Sequence, residues 1–425
     1  MAAQHPAVLP QAPQDPSSLV PDFVSDFAED VFGYLPRVDQ RRWADAYLRG
    51  LLTVRGKKTI RQMARAVSPS SGAPQALQQF ISASPWDWAA AREALARKAA
   101  ARLPSHAWTI GMTLAEKRGE HSVGVHRRFV PDAGRTLNCQ VGIGLFLTSG
   151  SESIPVDWRL LMDESWCGDE QRRRRARVPG TLRAQPVWEH VLDLTDRLAA
   201  LRVSGPAPLV VDRCCAADAA HLAAQLNLRE REFAIEIRPD QPVLPALHAG
   251  PGAGPRPSAV RPMSALQFMR DGGFRHPYVV GVEDHGHGPA NGNGNGTGNV
   301  NGHGQDRGRQ VRHLNVHSSL VRLPGRSGAP STHRVYRLLA EQAPAHRRPA
   351  RFWITTLVDR RMDEVLSLIR RPALTHAAVQ RLEDDFGMLD FEGRSFPGWH
   401  HHMTMASAAY VYSRLQHGAR QLATV

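Results

Sequence analysis

A chain of 425 residues with 42% hydrophobic content is long enough for a large core and one or two accessory units. Its 53 Lys and Arg against 40 Asp and Glu leave a net charge of +13, a surplus that points to a polyanion, of which nucleic acid is the usual one. No apolar run reaches the length of a membrane span, and Cys139, Cys167, Cys214 and Cys215 lack the CxxC spacing of a zinc site or a disulfide framework, as suits reduced thiols in the cytoplasm.

Residues 1–20 are rich in Pro, Gln, Ser and Ala and lack the basic-then-apolar order of a signal peptide, so a disordered tail is expected. Residues 21–104 read as a helical domain. Phe23, Phe27, Val31 and Phe32 recur at helical spacing, as do Trp43, Ala46, Tyr47 and Leu51. Thr59 is placed to cap a short basic helix that carries Arg61 and Arg65. A Ser/Pro/Gly turn at residues 68–74 separates it from the next helix. Short helices around a tight turn suit a helix-turn-helix DNA reader, or a plain helical packing domain.

From residue 105 the pattern turns to strands. Residues 107–110, 122–125 and 138–147 are candidates, the last so continuously apolar that burial on both faces is expected. An amphipathic helix spans 185–202, a buried strand 208–212 ends in Asp212, and a helix follows at 218–227. This strand–acid–helix order predicts an α/β core whose first part spans 105–230. Residues 231–349 read as an insertion with weak strands at 278–282, 311–316 and 334–339. Within it, 285–308 is a low-complexity linker of Asn-Gly repeats. The second part of the core, 350–425, opens on a strand at 352–357. Helices are expected at 361–371, 374–386 and 398–417, with a break before the middle one.

The segment Gly387-Met388-Leu389-Asp390-Phe391-Glu392-Gly393-Arg394-Ser395-Phe396-Pro397-Gly398-Trp399-His400-His401-His402, running on to Tyr410, resembles the segment that closes DDE transposases of the insertion-sequence 701 type. Residues 35–64 and the run from Asp157 to Trp166 resemble other parts of that family. The resemblance implies a ribonuclease-H-like mixed sheet flanked by helices, preceded by a helical domain and interrupted by the insertion. It also implies action on element-end DNA, usually as a homodimer, with Mg²⁺.

Such enzymes hold two metal ions on three carboxylates, hard oxygen ligands that Mg²⁺ requires. The stretch that matches the first acid runs from Ala107 to Val125, and Gly111 and Met112 stand where the family has acids. The second acid matches Asp212, followed by Arg213 and two cysteines instead of a small glycine-bearing turn. Arg213 is placed to pair with Asp212. Counting back from Phe391, the third acid falls on His376, the family's Tyr on Val379 and its Lys on Glu383. One of three carboxylates therefore survives, and no metal or other cofactor is expected. Arg172, Arg173, Arg174, Arg175 and Arg177 read as a phosphate-contacting strip or as a solvated basic loop. Lys117, Arg118, Arg127 and Arg128 would join that face if a hairpin forms. His400–His402 reads as a packing element, because consecutive helical residues do not point at one ion. Cys214 and Cys215 read as small buried hydrophobes.

Three functions remain open from the sequence. The first is a transposase-derived DNA-binding protein without cutting activity, associated with the nucleoid. The second is an active DDE-type nuclease that uses Mg²⁺ on relocated ligands such as Glu116, Asp218 or Asp384. The third is a protein-interaction scaffold in which DNA plays no part.

Overall fold

The computed structural model describes residues 23–130, 133–203, 205–246, 261–271, 278–283, 311–325, 334–342 and 351–422. The tail at 1–20 and the linker at 285–308 lie outside the described residues.

Five helices come first: α1 (Phe23–Phe32), α2 (Val38–Thr53), α3 (Ile60–Val67), α4 (Ala73–Ser82) and α5 (Trp88–Arg102). Each buries one stripe, such as Tyr47, Leu48 and Leu51 of α2 against Leu77, Phe80 and Ile81 of α4. Thr59 caps α3 as expected, and it does so reciprocally: its hydroxyl accepts from the Gln62 backbone, and the Gln62 side chain reaches back to the Thr59 N–H.

Next come β1 (Ala107–Glu116), β2 (His126–Val130), β3 (Arg135–Thr148), β4 (Ser153–Leu160), α6 (Glu164–Cys167), α7 (Glu170–Ala176), α8 (Val187–Leu201), β5 (Leu209–Val211), α9 (Ala219–Leu228) and β6 (Phe233–Ile237). Strand β1 lies between antiparallel β3 and parallel β5, and β6 runs parallel to β5. This is the mixed α/β arrangement that the resemblance implied.

The insertion contributes β7 (Pro242–Pro245), β8 (Met263–Ser264), α10 (Ala265–Arg270), β9 (Tyr278–Glu283), β10 (Val311–Arg322) and β11 (Tyr336–Gln342). The chain then returns through β12 (Arg351–Thr355), α11 (Met362–Asp384) and α12 (Phe396–Leu422). The twelve described strands share one sheet in the order β2-β3-β1-β5-β6-β12-β11-β10-β7-β8, with β4 also on β3 and β9 also on β10. The inserted strands thus prolong the core sheet.

Three local expectations are corrected. Residues 122–125 form a turn, and the strand starts at His126. That strand pairs with β3 rather than β1, so no β1–β2 hairpin brings Lys117 and Arg118 beside Arg127 and Arg128. Helices 361–371 and 374–386 are one helix, α11, which runs through Pro372. A proline inside a helix costs about 3 kcal/mol. Burial of Val365, Leu366 and Ile369 before it and of Thr375, Val379 and Leu382 after it, all against the sheet, offsets that cost.

The three histidines at the start of α12 are buried and go to different partners. His400 Nδ1 accepts from Arg92 Nη2 at 3.2 Å. His401 stacks on Trp86 at 3.9 Å, its ring nitrogens 3.0 Å from Ile81 O and 2.9 Å from Trp86 O. His402 donates from Nε2 to Gly387 O at 3.0 Å and accepts from the Tyr47 hydroxyl at 2.9 Å. Burial holds His401 and His402 down to about 4, against the pull of their carbonyl partners. Arg92, also buried, donates to Asp157 Oδ1 at 2.7 Å and to Trp158 O at 2.8 Å. Signature segment, helical domain and sheet are therefore joined through one set of side chains.

Candidate functional site

Strand β5 ends at Val211, and the next residue, Asp212, is buried at the mouth of the sheet. Helix α11 runs across this face. His376 Nε2 lies 2.8 Å from Asp212 Oδ2, with His376 about half exposed and Asp212 buried. Arg213, read as the partner of Asp212, is exposed on the short 3₁₀ turn that follows and forms no ion pair with it. The imidazole of α11 takes that place because its helix is held directly over the strand end.

Gly111 lies in mid-β1, on the same side of the sheet. A Cβ built there would stand 2.7 Å from Phe146 Cε2, 2.8 Å from Val379 Cγ2 and 3.1 Å from Thr375 Cγ2. The space that a side chain at 111 would need is filled by β3 and α11. Two residues further along β1, Thr113 donates to Glu383 Oε1 at 2.5 Å. Burial raises the Glu383 carboxyl above its ordinary value, and the Thr113 hydrogen bond opposes that rise. Just before Gly111, Thr109, Thr148 and Thr375 share buried hydroxyl contacts of 2.7–3.2 Å, with Ser153 completing the group. His376, Val379 and Glu383, the three α11 positions counted from the signature segment, thus face Asp212, Gly111 and Thr113 in turn.

These residues do not fit a two-Mg²⁺ clamp. At Gly111, where the resemblance puts the first carboxylate, packing leaves no room for a side chain, and Asp212 is bonded to an imidazole. Among the described residues, no group of three or more His, Cys, Asp and Glu side chains could hold a metal ion. Of the relocated candidates, Glu116 is exposed and pairs with Arg135 at 3.5 Å.

A carboxylate that the sequence did not single out lies beside Asp212. The pairing of Val210 with Ala234 and Val211 with Ile235 puts Glu236 of β6 next along the sheet. Arg351 of β12 holds it with two contacts, 2.6 and 3.1 Å. The sequence reading places no strand at Phe233–Ile237, and its neighbour across the sheet is not readable without the strand order. Cys215 is buried and Cys214 half-buried, their sulfurs 3.8 Å apart. The contact with Cys215, then burial, pushes the Cys214 thiol well up.

The arginine strip is a helix, α7, and most of its guanidinium groups are engaged. Arg172 donates to Ser165 O and Glu120 O, each at 3.2 Å, and lies 4.1 Å over the Trp166 ring. Arg173 donates to Cys167 O at 2.9 Å and Pro179 O at 2.6 Å, and Arg174 pairs with Glu170. Arg177, in the left-handed region at φ 55°, binds Ser82 O and the Ser395 hydroxyl. Arg175 is exposed. Elsewhere, Arg61 and Arg65 are exposed one turn apart on α3, Arg118 and Arg127 are exposed, and Arg128 is half-buried. Lys117 donates to Phe391 O at 3.0 Å, and its burial lowers the ammonium pKa. No described helix is long and apolar enough to cross a membrane.

No curated protein matches the chain. Among solved structures, piggyBac transposase in a synaptic complex with hairpin DNA is similar at 9% identity and a TM-score of 0.36; the alignment covers 92% of this chain and 66% of that one. This chain therefore spans just under two thirds of that protein's length. The DDE superfamily endonuclease family matches residues 30–283, well over half of the chain, and the protein belongs to that family.

Proposed function

We propose that this protein is a transposase-derived DNA-binding protein that no longer cuts DNA. The observation that carries the reading is Gly111. At the position of the first acid there is neither a carboxylate nor room for one, because Phe146, Val379 and Thr375 occupy its space. The imidazole of His376 on Asp212 supports the same reading from the other side of the site. DNA binding is supported by the net charge of +13, by the exposed Arg61, Arg65 and Arg175, and by the family.

Two measurements test the proposal. A supercoiled plasmid incubated with Mg²⁺ or Mn²⁺ is expected to remain uncut; nicking that disappears in Asp212→Ala would overturn the inactive reading. Binding to duplex DNA is expected at about 100 mM salt and should weaken steeply as salt rises, since each neutralised phosphate releases counterions. Affinity without a salt slope would remove the DNA-binding part.

A further inference from the structure

We propose that α4 is the base-reading helix of a helix-turn-helix whose first helix is α3, and that Gln75, Gln78 and Gln79 read adenine edges in the major groove of duplex DNA. This rests on the DNA-binding reading above and adds to it the reading surface and its target chemistry.

Helices α3 and α4 are joined by the turn at residues 68–72, and both pack on α2 through Met63, Ala64, Leu77 and Phe80. The inner face of α4 is fixed to α12, where the Ile81 carbonyl meets His401 at 3.0 Å. Gln75, Gln78 and Gln79 are all exposed, with Gln75 one turn before the adjacent pair Gln78 and Gln79. The side chains of Gln75 and Gln79 form no hydrogen bond among the described residues, and Gln78 donates to the Ser82 hydroxyl at 2.6 Å, which lays it along the helix.

The chemistry of this face is unusual for the protein. No charged residue occurs between Arg65 and Asp87. Neighbouring helices α2 and α5 show ionised side chains to solvent, Asp39, Arg42 and Arg97 among them. Carboxylates on α4 would repel DNA, and lysines would bind any phosphate. A primary amide offers a donor and an acceptor together, the pattern that matches adenine N6 and N7. Ten residues make α4 about 15 Å long, enough to lie in the major groove.

Cations flank the amides on two sides. Arg61 and Arg65 project from α3, the helix that crosses the backbone in this motif. At the other end, Arg177 holds the Ser82 carbonyl and so ties the end of α4 to α7, where Arg174 and Arg175 are exposed. An uncharged reading face between basic flanks is the division of labour in which phosphate contacts position and base contacts specify.

The test uses the full chain and duplexes selected from a random library. Selection is expected to enrich sites containing adenine. Replacing one such adenine by 7-deazaadenine should weaken wild-type binding by about tenfold, as for loss of a bidentate contact. The triple variant Gln75→Ala, Gln78→Ala, Gln79→Ala should keep its salt slope and its affinity for random DNA but lose the preference, whereas Arg61→Ala with Arg65→Ala should weaken binding to all sequences and lower the slope by about two. Alanine is a strong helix former, and circular dichroism checks that the variants fold. If the triple variant selects the same sites with the same preference, or if deaza substitution has no effect at any adenine, the assignment of α4 fails while DNA binding stands. If the wild type binds no duplex, both fail.

Discussion

Gly111 illustrates how a single residue separates what a sequence reveals from what it hides. That Gly111 stands where the resemblance puts an acid is an expectation of the sequence, since the stretch from Ala107 to Val125 is framed at both ends by matching residues. The closure of the space is not, since Phe146 comes from a different strand and Thr375 and Val379 from a helix more than 260 residues away along the chain. Spacing carries no information about such a contact. Gly111→Ala is expected to destabilise the protein by about 1–3 kcal/mol through overpacking, and Gly111→Asp by more, because a charge is buried as well. Urea denaturation measures both, and a variant as stable as the wild type would show that the space opens readily. His376→Ala is expected to cost about 1–3 kcal/mol, since it leaves the buried Asp212 carboxylate without the imidazole it bonds to. His376→Gln, which keeps a donor, should recover part of that loss in the same assay.

At the scale of elements, most helices and strands were readable from periodicity, and the misreadings have physical causes. Pro372 signalled a break, but two apolar stripes in register on either side of it outweigh the local cost. The grouping of Lys117 and Arg118 with Arg127 and Arg128 was conditional on a hairpin; instead β1 pairs with β3, where ten residue pairs from Ala107–Thr148 to Glu116–Cys139 follow one another. Strand order is set by which apolar surfaces meet, and one sequence does not state it.

The β9–β10 pairing brings Glu283 opposite Val311. Glu283 and Val311, which flank residues 284–310 in the sequence, are therefore close enough to be joined by a two-residue turn. Replacing 284–310 by Asn-Gly is expected to leave the melting temperature unchanged within about 2 °C, checked by calorimetry; a larger fall would give the segment a structural role. The histidines of α12 set a pH dependence with a definite sign. His401 and His402 titrate near 4 in the folded chain against an ordinary value of 6.5, so the unfolded chain binds more protons between those values. Stability is expected to be full near pH 7 and to fall as pH drops from about 6.5 towards 4. Urea midpoints measured across that range check it, and His402→Asn, which removes one titrating group, should flatten the fall.

For the molecule as a whole, the consequence of the buried histidines is that it cannot be taken apart. His402 holds Tyr47, His401 lies against Ile81 and Trp86, and His400 engages Arg92, so the C-terminal end of the chain supplies the lid over the N-terminal helices. A fragment ending at residue 104 would bare those side chains to water, and on size-exclusion chromatography it is expected to run as an aggregate. Whatever the N-terminal helices grip, they grip as one stiff body with the sheet behind them. A translating ribosome cannot finish that body until the first turns of α12 have emerged, so the grip is acquired only after the sheet has been made.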